Sequence, residues 1–265
     1  MSDAPVSRLY DRLCRFESGR ERTSAYPVHK RLDFGESTPV DIYDWILQTI
    51  EVSDGSRILD AGCGVGFGTL KLAAAGNTNV TGISVSSDEL ERAREYADRS
   101  DAAANVEFRQ RSFDALGDDR YDLTVAVESL KHSPDIGKTL QHLTARLADG
   151  GELVVVEDIF SGTEQGAAVE CLKNAWHLTE LHRLQHYEDV LGDIEQSDLT
   201  PAMRQRRPLW NRIRFFGLGI ASVLPGEWGR VAQIFRGGVA LEGVYDRGDM
   251  RYLALRYRKC TDPSS

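Results

Sequence analysis

Two titratable side chains follow an apolar run near the middle of the chain. The run from Tyr121 to Val127 is almost entirely apolar, which predicts a central parallel strand that is buried on both faces. Glu128 comes directly after this run, and His132 follows in the next few residues. Open α/β sheets bind their ligands just outside the carboxyl ends of the strands. A carboxylate and an imidazole at such a place indicate proton transfer, and we predict Glu128 and His132 as the catalytic residues.

A glycine-dense turn earlier in the chain predicts a ligand site of its own. A short apolar strand that reaches Asp60 runs into Gly62, Gly64 and Gly66, and a helical pattern follows. Because glycine has no Cβ, a ligand at this turn can approach the bare backbone N–H groups at the start of the helix. The spacing lacks the third glycine of a dinucleotide fingerprint and the Lys-Ser/Thr pair of a P-loop. The turn therefore predicts a nucleotide-like ligand of another class.

The pattern Asp60-x-Gly62-x-Gly64-x-Gly66 resembles motif I of the class I S-adenosylmethionine-dependent methyltransferases. The resemblance covers about residues 55 to 160. It implies that S-adenosylmethionine is the cofactor and that it lies against this turn. The cofactor-binding residues that it implies here are Asp60, Ala61, Gly62, Cys63, Gly64, Gly66 and Phe67.

The second predicted strand departs from the pattern of most such methyltransferases. They end this strand with Asp or Glu, which binds both ribose hydroxyls, whereas Ser84 stands here. The segment from Gly82 to Ser86 instead resembles the Gly-x-Ser/Thr-x-Ser version of natural-product sugar methyltransferases, some terpenoid methyltransferases and cyclopropane-forming lipid enzymes. In that version, hydroxyl and backbone groups of the turn take over part of the ribose contact. The cofactor contacts implied here are Ser84, Val85, Ser86 and, in the next helical turn, Glu89.

The third predicted strand, residues 106 to 110, leads to the expected adenine contacts. Ser112 replaces the acid that accepts a hydrogen bond from the adenine amino group in the family, and Phe113 is placed to stack near the adenine. Val127, at the end of the fourth strand, completes the implied cofactor-binding set.

The segment from Glu128 to His132 resembles two groups of methyltransferases. Its order Glu-Ser-Leu-Lys-His is similar to the Glu-Ser-Leu-His-His of glycosylated-alkaloid O-methyltransferases, in which His132 matches the second histidine. Lys131 replaces the first, so that if this first histidine is the base there, the O-methylation mechanism does not transfer directly. A strand-end glutamate also resembles prenyl and terpenoid C-methyltransferases, where the carboxylate can stabilise a carbocation and accept a proton. The acceptor atom stays open between carbon, oxygen and nitrogen.

The alternation of strand and helix patterns between residues 55 and 160 predicts a doubly wound parallel sheet. Residues 250 to 258 alternate as a last strand, which is antiparallel in the family. We predict an α/β, Rossmann-like methyltransferase sheet of seven strands with a helical cap. The expected single domain, 1–265, divides into an N-terminal lid (1–36), a cofactor-binding core (37–160), cap helices and sheet edge (161–241) and a final strand and tail (242–265). Thr38 and Pro39 predict the start of a helix that runs to Ile50.

The lid and the cap supply the expected substrate contacts. An amphipathic helix with Leu9 and Leu13 precedes the first strand of the sheet, where small-molecule methyltransferases often place a lid. The predicted substrate-binding residues are Tyr10, Tyr26 and His29 from the lid and Trp176 and His177 from the cap. His182 and His186 share a helical spacing that suits a metal, but without a third ligand we predict no metal site.

Composition limits the partners. The 265 residues carry a net charge of -9, which argues against a nucleic-acid substrate. No stretch approaches the length of an apolar membrane span, so we expect no stable membrane insertion. The four cysteines, Cys14, Cys63, Cys171 and Cys260, show no paired spacing, which favours free thiols and a cytoplasmic location.

These observations predict methyl transfer from S-adenosylmethionine to a small apolar or natural-product-like molecule, such as a terpenoid, glycosylated or aromatic compound. Two alternatives stay open. One is a cyclopropane-forming lipid enzyme on the same fold, and the other is a non-catalytic cofactor-binding partner subunit.

Overall fold

The computed structural model of the protein describes residues 4–18, 29–35, 38–203 and 208–261. The strands of this part of the chain are β1 (Arg31–Leu32), β2 (Val40–Asp41), β3 (Arg57–Ala61), β4 (Asn79–Ser84), β5 (Val106–Gln110), β6 (Tyr121–Val127), β7 (Leu147–Phe160), β8 (Glu195–Asp198) and β9 (Met250–Arg258). The α-helices are α1 (Ala4–Ser18), α2 (Ile42–Thr49), α3 (Phe67–Ala74), α4 (Ser87–Ala97), α5 (Ile136–Ala145), α6 (Ala167–Trp176), α7 (Leu184–Leu191), α8 (Pro208–Ala221) and α9 (Glu227–Asp246).

Strands β3 to β9 form one seven-stranded sheet in the order β5-β4-β3-β6-β7-β9-β8. The strands from β5 to β7 run parallel, and β9 is antiparallel to both β7 and β8. The predicted α/β, Rossmann-like sheet with an antiparallel last strand is therefore confirmed. Because β3 and β6 are neighbours, the glycine turn after β3 and the segment after β6 lie side by side at the carboxyl edge.

Helices cover both faces of the sheet. Successive strand residues point to opposite faces, so Ile58 packs in the layer under α2 and α3, while Leu59 packs in the layer under α5 and α7. Both side chains are fully buried. Burial on both faces accounts for the unbroken apolar runs 125–127 in β6 and 153–156 in β7, which an alternating pattern does not explain.

Helix α2 begins later than the sequence predicts. Asp41, not Thr38, is its N-cap, and the Asp41 side chain accepts a hydrogen bond of 3.0 Å from the backbone N–H of Tyr43. Val40 pairs with Leu32 in the small antiparallel ribbon of β1 and β2, so the chain is still extended beyond Pro39. A tertiary pairing thus overrides a local capping pattern.

The cap consists of α6, α8 and α9, with α9 packed closely on α6. A Cβ at Gly237 of α9 would lie 2.7 Å from the Cβ of Ala175, so glycine is needed for the two helices to approach. The Trp176 indole N–H donates a 3.1 Å hydrogen bond to the Ile234 carbonyl, which fixes its ring between the helices. Helix α9 extends to Asp246, past residue 241, at which we predicted the end of the cap helices.

The N-terminal helix α1 packs on α4 and α9. The Ser86 hydroxyl donates a 2.6 Å hydrogen bond to Asp11, Arg15 lies 2.5 Å from Asp88, and the Arg12 guanidinium donates a 2.8 Å hydrogen bond to Glu227. None of the helices in the described part of the chain combines the length and apolarity that crossing a bilayer demands.

Tyr43 of α2 packs directly on Gly68 of α3. A Cβ at Gly68 would lie 2.0 Å from the Tyr43 ring, so no other residue fits there without moving the ring. The Tyr43 hydroxyl donates a 2.9 Å hydrogen bond to Asp60 on β3, and all of these groups are buried. This contact holds α2, α3 and the strand before the glycine turn in one arrangement.

Replacing Gly68 with Ala is expected to lower the free energy of unfolding by about 1–3 kcal/mol, because the added methyl overpacks the Tyr43 ring. Urea denaturation measures the change. Gly243→Ala in α9 is the matched control, since a Cβ there meets no atom within 4 Å; it should stabilise by about 0.5–1 kcal/mol. Equal effects of the two substitutions would show that the Tyr43 contact is not tight.

Candidate active site

One cavity of about 840 Å³ lies at the carboxyl edge of the sheet, beneath α1 and the cap. The glycine turn forms part of its wall, and Glu128 and His132 lie on the same wall. The predicted site residues that line it are Tyr10, His29, Gly62, Gly64, Phe67, Ser84, Val85, Glu89, Ser112, Phe113, Val127, Glu128, His132 and Trp176.

Two glycines of the turn serve different purposes. Gly62 has a φ of +91°, and a Cβ on it would lie 2.3 Å from the Cβ of Ser129, so glycine lets the turn pack against the segment after β6. Gly64 has a φ of +52° and only the Glu89 carboxylate, at 3.7 Å, near its hypothetical Cβ. Gly64 therefore leaves bare backbone open to the cavity.

Asp60 lies behind the turn and does not line the cavity. It accepts hydrogen bonds from the Tyr43 hydroxyl at 2.9 Å and from the Thr69 hydroxyl at 2.6 Å. Burial has the largest effect on the pKa of Asp60 and raises it above its ordinary value, although these two hydrogen bonds lower it. Ala61, Cys63 and Gly66 also stay outside the cavity lining, so these four residues support the shape of the turn from behind.

A carboxylate reaches the cavity from helix α4 instead of from the end of β4. The Ser84 hydroxyl donates a 2.8 Å hydrogen bond to Glu89, and the same Ser84 oxygen accepts a 3.1 Å bond from the backbone N–H of Ser86. Ser86 is the N-cap of α4 and lies outside the cavity lining. The serine thus orients Glu89 beside Gly64.

Sequence reasoning missed part of the wall on this side. Arg92 and Tyr96 line the cavity from the same face of α4 as Glu89, Arg99 lines it just after this helix ends, and Arg111 lines it after β5. Helical spacing from Glu89 would have placed Arg92 and Tyr96 on one face with it.

Glu128 adopts a left-handed backbone conformation, with a φ of 52°, at the end of β6. Such a conformation is costly for a residue with a side chain and is found most often at functional sites. The Glu128 carboxylate accepts hydrogen bonds of 2.9 Å from the Tyr252 hydroxyl and 3.3 Å from the Lys30 ammonium, and His29 Nδ1 lies 3.9 Å away. Burial raises the pKa of Glu128, but Lys30, His29 and Lys131 together outweigh burial and hold this pKa well below its ordinary value. Glu128 is therefore ionised at neutral pH.

His132 contacts the lid. Its Nε2 lies 2.8 Å from the Tyr10 hydroxyl, and the two rings meet edge to face with centroids 5.3 Å apart. Burial, followed by the positive charge of Lys131, lowers the pKa of His132 to about 3. Burial likewise raises the pKa of Tyr10. Both side chains are neutral at neutral pH, so the site combines a neutral imidazole and phenol with the charged Glu128.

Lys131 cannot take the role of a histidine base. Its ammonium lies 2.9 Å from Asp158 and 3.2 Å from Glu157, and 5.4 Å from the centre of the Trp176 ring. Burial alone lowers the pKa of Lys131, but these carboxylates overcome that effect and raise the pKa well above its ordinary value. Lys131 stays protonated and cannot accept a proton from a ligand.

Helices α1, α6 and α9 give the cavity a largely apolar wall. Three of the predicted substrate-binding residues line the cavity: Trp176 from the cap, and Tyr10 and His29 from the N-terminal segment. Tyr26 lies outside the described residues. Further wall residues, which no motif identified, are Val6, Leu9 and Leu13 of α1 and Ile234 and Phe235 of α9.

His177 does not reach the cavity. It is the C-cap of α6 in a left-handed conformation, with a φ of 55°, and this turn carries its exposed side chain away from Trp176. The expected substrate contact at His177 is therefore corrected.

His182 and His186 have ring centroids 6.4 Å apart, and the described residues contain no group of three metal-binding side chains.

Comparison with known proteins agrees with this geometry. A family model described as a methyltransferase domain matches residues 52–207. Methyltransferase GfsG of Streptomyces halstedii is 28% identical over 170 residues, which are 62% of this chain and 61% of that protein. The 27-O-demethylrifamycin SV methyltransferase of Amycolatopsis mediterranei is 28% identical over 193 residues, covering 69% of this chain and 71% of that one.

The fold extends beyond these aligned segments. The crystal structure of the [4+2]-cyclase SpnF superposes with a TM-score of 0.75 at 20% identity and covers 99% of this chain and 98% of that one. At this identity, the likeness shows a shared fold. The methyltransferase-domain match spans more than half of the 265 residues, and the chain therefore belongs to the S-adenosylmethionine-dependent methyltransferase family.

Proposed function

We propose that this protein transfers a methyl group from S-adenosylmethionine to a small, largely apolar, natural-product-like acceptor such as a terpenoid, glycosylated or aromatic compound. One observation carries the proposal. The same cavity is lined by the bare backbone of Gly64, by apolar side chains of α1 and α9, and by Glu128 and His132.

The cavity fits the cofactor at its glycine end. A Cβ at Gly64 would project into the cavity, and Glu89 stands beside it to accept hydrogen bonds from ribose hydroxyls. Ser84, Val85, Ser112, Phe113 and Val127 surround the space for the adenosyl group. The bound sulfonium supplies an electrophilic methyl, so the protein's task is chiefly alignment and exclusion of water.

Glu128 and His132 have different roles in this proposal. Glu128 carries a fixed negative charge, which stabilises positive charge that develops on the acceptor during transfer. His132 is neutral and offers a ring nitrogen for a proton that the acceptor must lose. Tyr10, which contacts that nitrogen at 2.8 Å, and Trp176 hold the acceptor from the lid and the cap.

Cell location and partners follow from composition. We propose a cytoplasmic protein that acts on small molecules, because the four cysteines are free thiols and the net charge is -9.

Incubation with methyl-labelled S-adenosylmethionine and a panel of terpenoid, aromatic and glycosylated acceptors tests the function. Mass spectrometry should find labelled product that has gained one methyl group. Cofactor binding without label transfer to any acceptor class would favour the non-catalytic partner subunit. Labelled cyclopropane on phospholipid acyl chains would favour the lipid enzyme.

Glu89→Ala is expected to weaken binding of S-adenosylhomocysteine by about tenfold or more, because a charged hydrogen-bond acceptor is worth about 1.5–3 kcal/mol. Isothermal titration calorimetry measures the change. Glu91→Ala, an exposed carboxylate on the same helix, should bind as the unmodified protein does. Equal affinity of the two variants would remove Glu89 from the cofactor site.

Glu128→Gln is expected to reduce kcat about 100-fold or more with an acceptor from the panel, because it removes the charge but keeps the shape. Its affinity for S-adenosylhomocysteine should stay within about twofold, since the loss lies in the chemical step. Glu170→Gln, on the exposed first turn of α6, is the control. Unchanged turnover in Glu128→Gln would end the assignment of a catalytic role to this residue.

The rate should not depend on His132 or Glu128 titration near neutral pH. His132, with a pKa of about 3, stays neutral, and Glu128, with its lowered pKa, stays ionised. We therefore expect kcat to be flat between about pH 5 and 8, where an unperturbed histidine would titrate. A rate profile with a midpoint near the ordinary histidine pKa would contradict the neutral, buried state of His132.

A further inference from the structure

A chain of five ionisable side chains runs along the wall of the cavity and behind it. Lys30 Nζ lies 3.3 Å from Glu128 Oε1 and 2.7 Å from Asp158 Oδ1. Lys131 Nζ lies 2.9 Å from Asp158 Oδ2 and 3.2 Å from Glu157 Oε1. Negative and positive groups thus alternate from Glu128 to Glu157 across the ends of β6 and β7.

The two lysines occupy different places in this chain. Lys131 lines the cavity and is shared between Asp158 and Glu157, whereas Lys30 is outside the cavity lining and bridges Glu128 to Asp158. The backbone N–H of Lys30 also donates a 3.4 Å hydrogen bond to Glu128. Lys30 therefore acts on the cavity most directly through Glu128, and more remotely through Asp158, which pairs with Lys131.

Lys30 is held in place by its own neighbours. Its ammonium lies 4.4 Å from the centre of the Tyr252 ring, whose hydroxyl donates to the same Glu128 oxygen. The Lys30 side chain is 24% exposed and that of Glu128 is 17% exposed. At such burial, a carboxylate remains ionised only if a partner charge or hydrogen bonds compensate for lost hydration.

Glu128 depends on Lys30 more than on its other neighbours. His29 Nδ1 is farther away, at 3.9 Å, and Tyr252 contributes a neutral hydroxyl. The titratable and charged groups that face or influence Glu128 are His29 and Lys30 before β1, Lys131 after β6, Glu157 and Asp158 on β7, Tyr245 on α9, Tyr252 on β9 and Tyr10 on α1.

We propose that Lys30 is a positioning residue that keeps Glu128 ionised and directed at the cavity, while joining the last part of the N-terminal lid to the sheet edge. The inference deepens the proposed function, since it explains how a buried carboxylate beside the reacting groups keeps its charge. Lys30 itself does not touch the acceptor.

The test is a ¹³C NMR pH titration of protein labelled at the glutamate carboxyl carbon, with the Glu128 signal assigned by its loss in Glu128→Gln. In the unmodified protein, this signal should not titrate in the range of ordinary glutamates. In Lys30→Met, its midpoint should rise by about one pH unit or more, a tenfold gain in proton affinity. Lys30→Arg should restore the unmodified behaviour.

Two further variants make the test specific. Lys173→Met removes a lysine of similar exposure, 28%, that pairs with Glu164 at 2.8 Å outside the site, and it should leave the Glu128 signal unchanged. Tyr252→Phe removes one hydrogen bond and should shift the midpoint less than Lys30→Met does. A Glu128 signal that titrates identically in the Lys30→Met and unmodified proteins would overturn the proposal.

The proposal can also be tested if the Lys30→Met variant fails to fold. If an unpaired buried carboxylate is the cause, the double variant Lys30→Met, Glu128→Gln should fold, as judged by circular dichroism. Failure of the double variant to fold would mean that Lys30 serves the structure through Asp158 alone, and the proposal would be wrong.

Rate measurements separate this inference from the proposed function. With an acceptor in hand, Lys30→Met should show an acid limb in its pH profile that the unmodified protein lacks. The NMR titration needs no acceptor, so an absence of methyl transfer would count against the proposed function and leave the titration result standing.

Discussion

The close approach of two neighbouring strand ends governs the rest of this structure. Gly62 packs against Ser129, whose hydroxyl donates a 2.6 Å hydrogen bond to the Ala61 carbonyl. The parallel pairing of β3 with β6 brings these ends to one level, so the glycine turn and the segment with Glu128 meet without a loop between them. A side chain at position 62 would separate the two, and with them the two halves of the cavity.

The charge states of the buried groups in this cavity differ because only some of these groups have partners that compensate for lost hydration. Burial pushes Glu128, His132 and Tyr10 toward their neutral forms. Only Glu128 has a cation, Lys30, in direct contact, and it alone of the three stays charged. The same principle explains Lys131. Its carboxylate partners keep it protonated, so it cannot act as a base.

Sequence reasoning identified the elements whose signals are local. The glycine turn, the parallel strands and the strand-end glutamate each depend on a few adjacent residues, and the sheet topology followed from their order. It failed where distant segments decide: the pairing of β1 with β2 delayed the start of α2, and Lys30 reaches Glu128 from a segment remote in sequence. It also failed at His177, where one left-handed residue at the end of α6 leaves the side chain outside the cavity. Asp60 supports the turn from behind because Tyr43 and Thr69 enclose it, which motif spacing alone does not show.

Helix α1 forms part of the cavity wall, both where the wall meets α4 and where it meets α9. Its polar side chains reach Ser86 and Asp88 at the start of α4, which carries Glu89, and Glu227 at the start of α9, which carries the apolar wall. A shift of this one helix would therefore alter the wall of the cavity on both sides together. Where binding on one side displaces α1, thermodynamic reciprocity requires binding on the other side to have an effect of equal free energy.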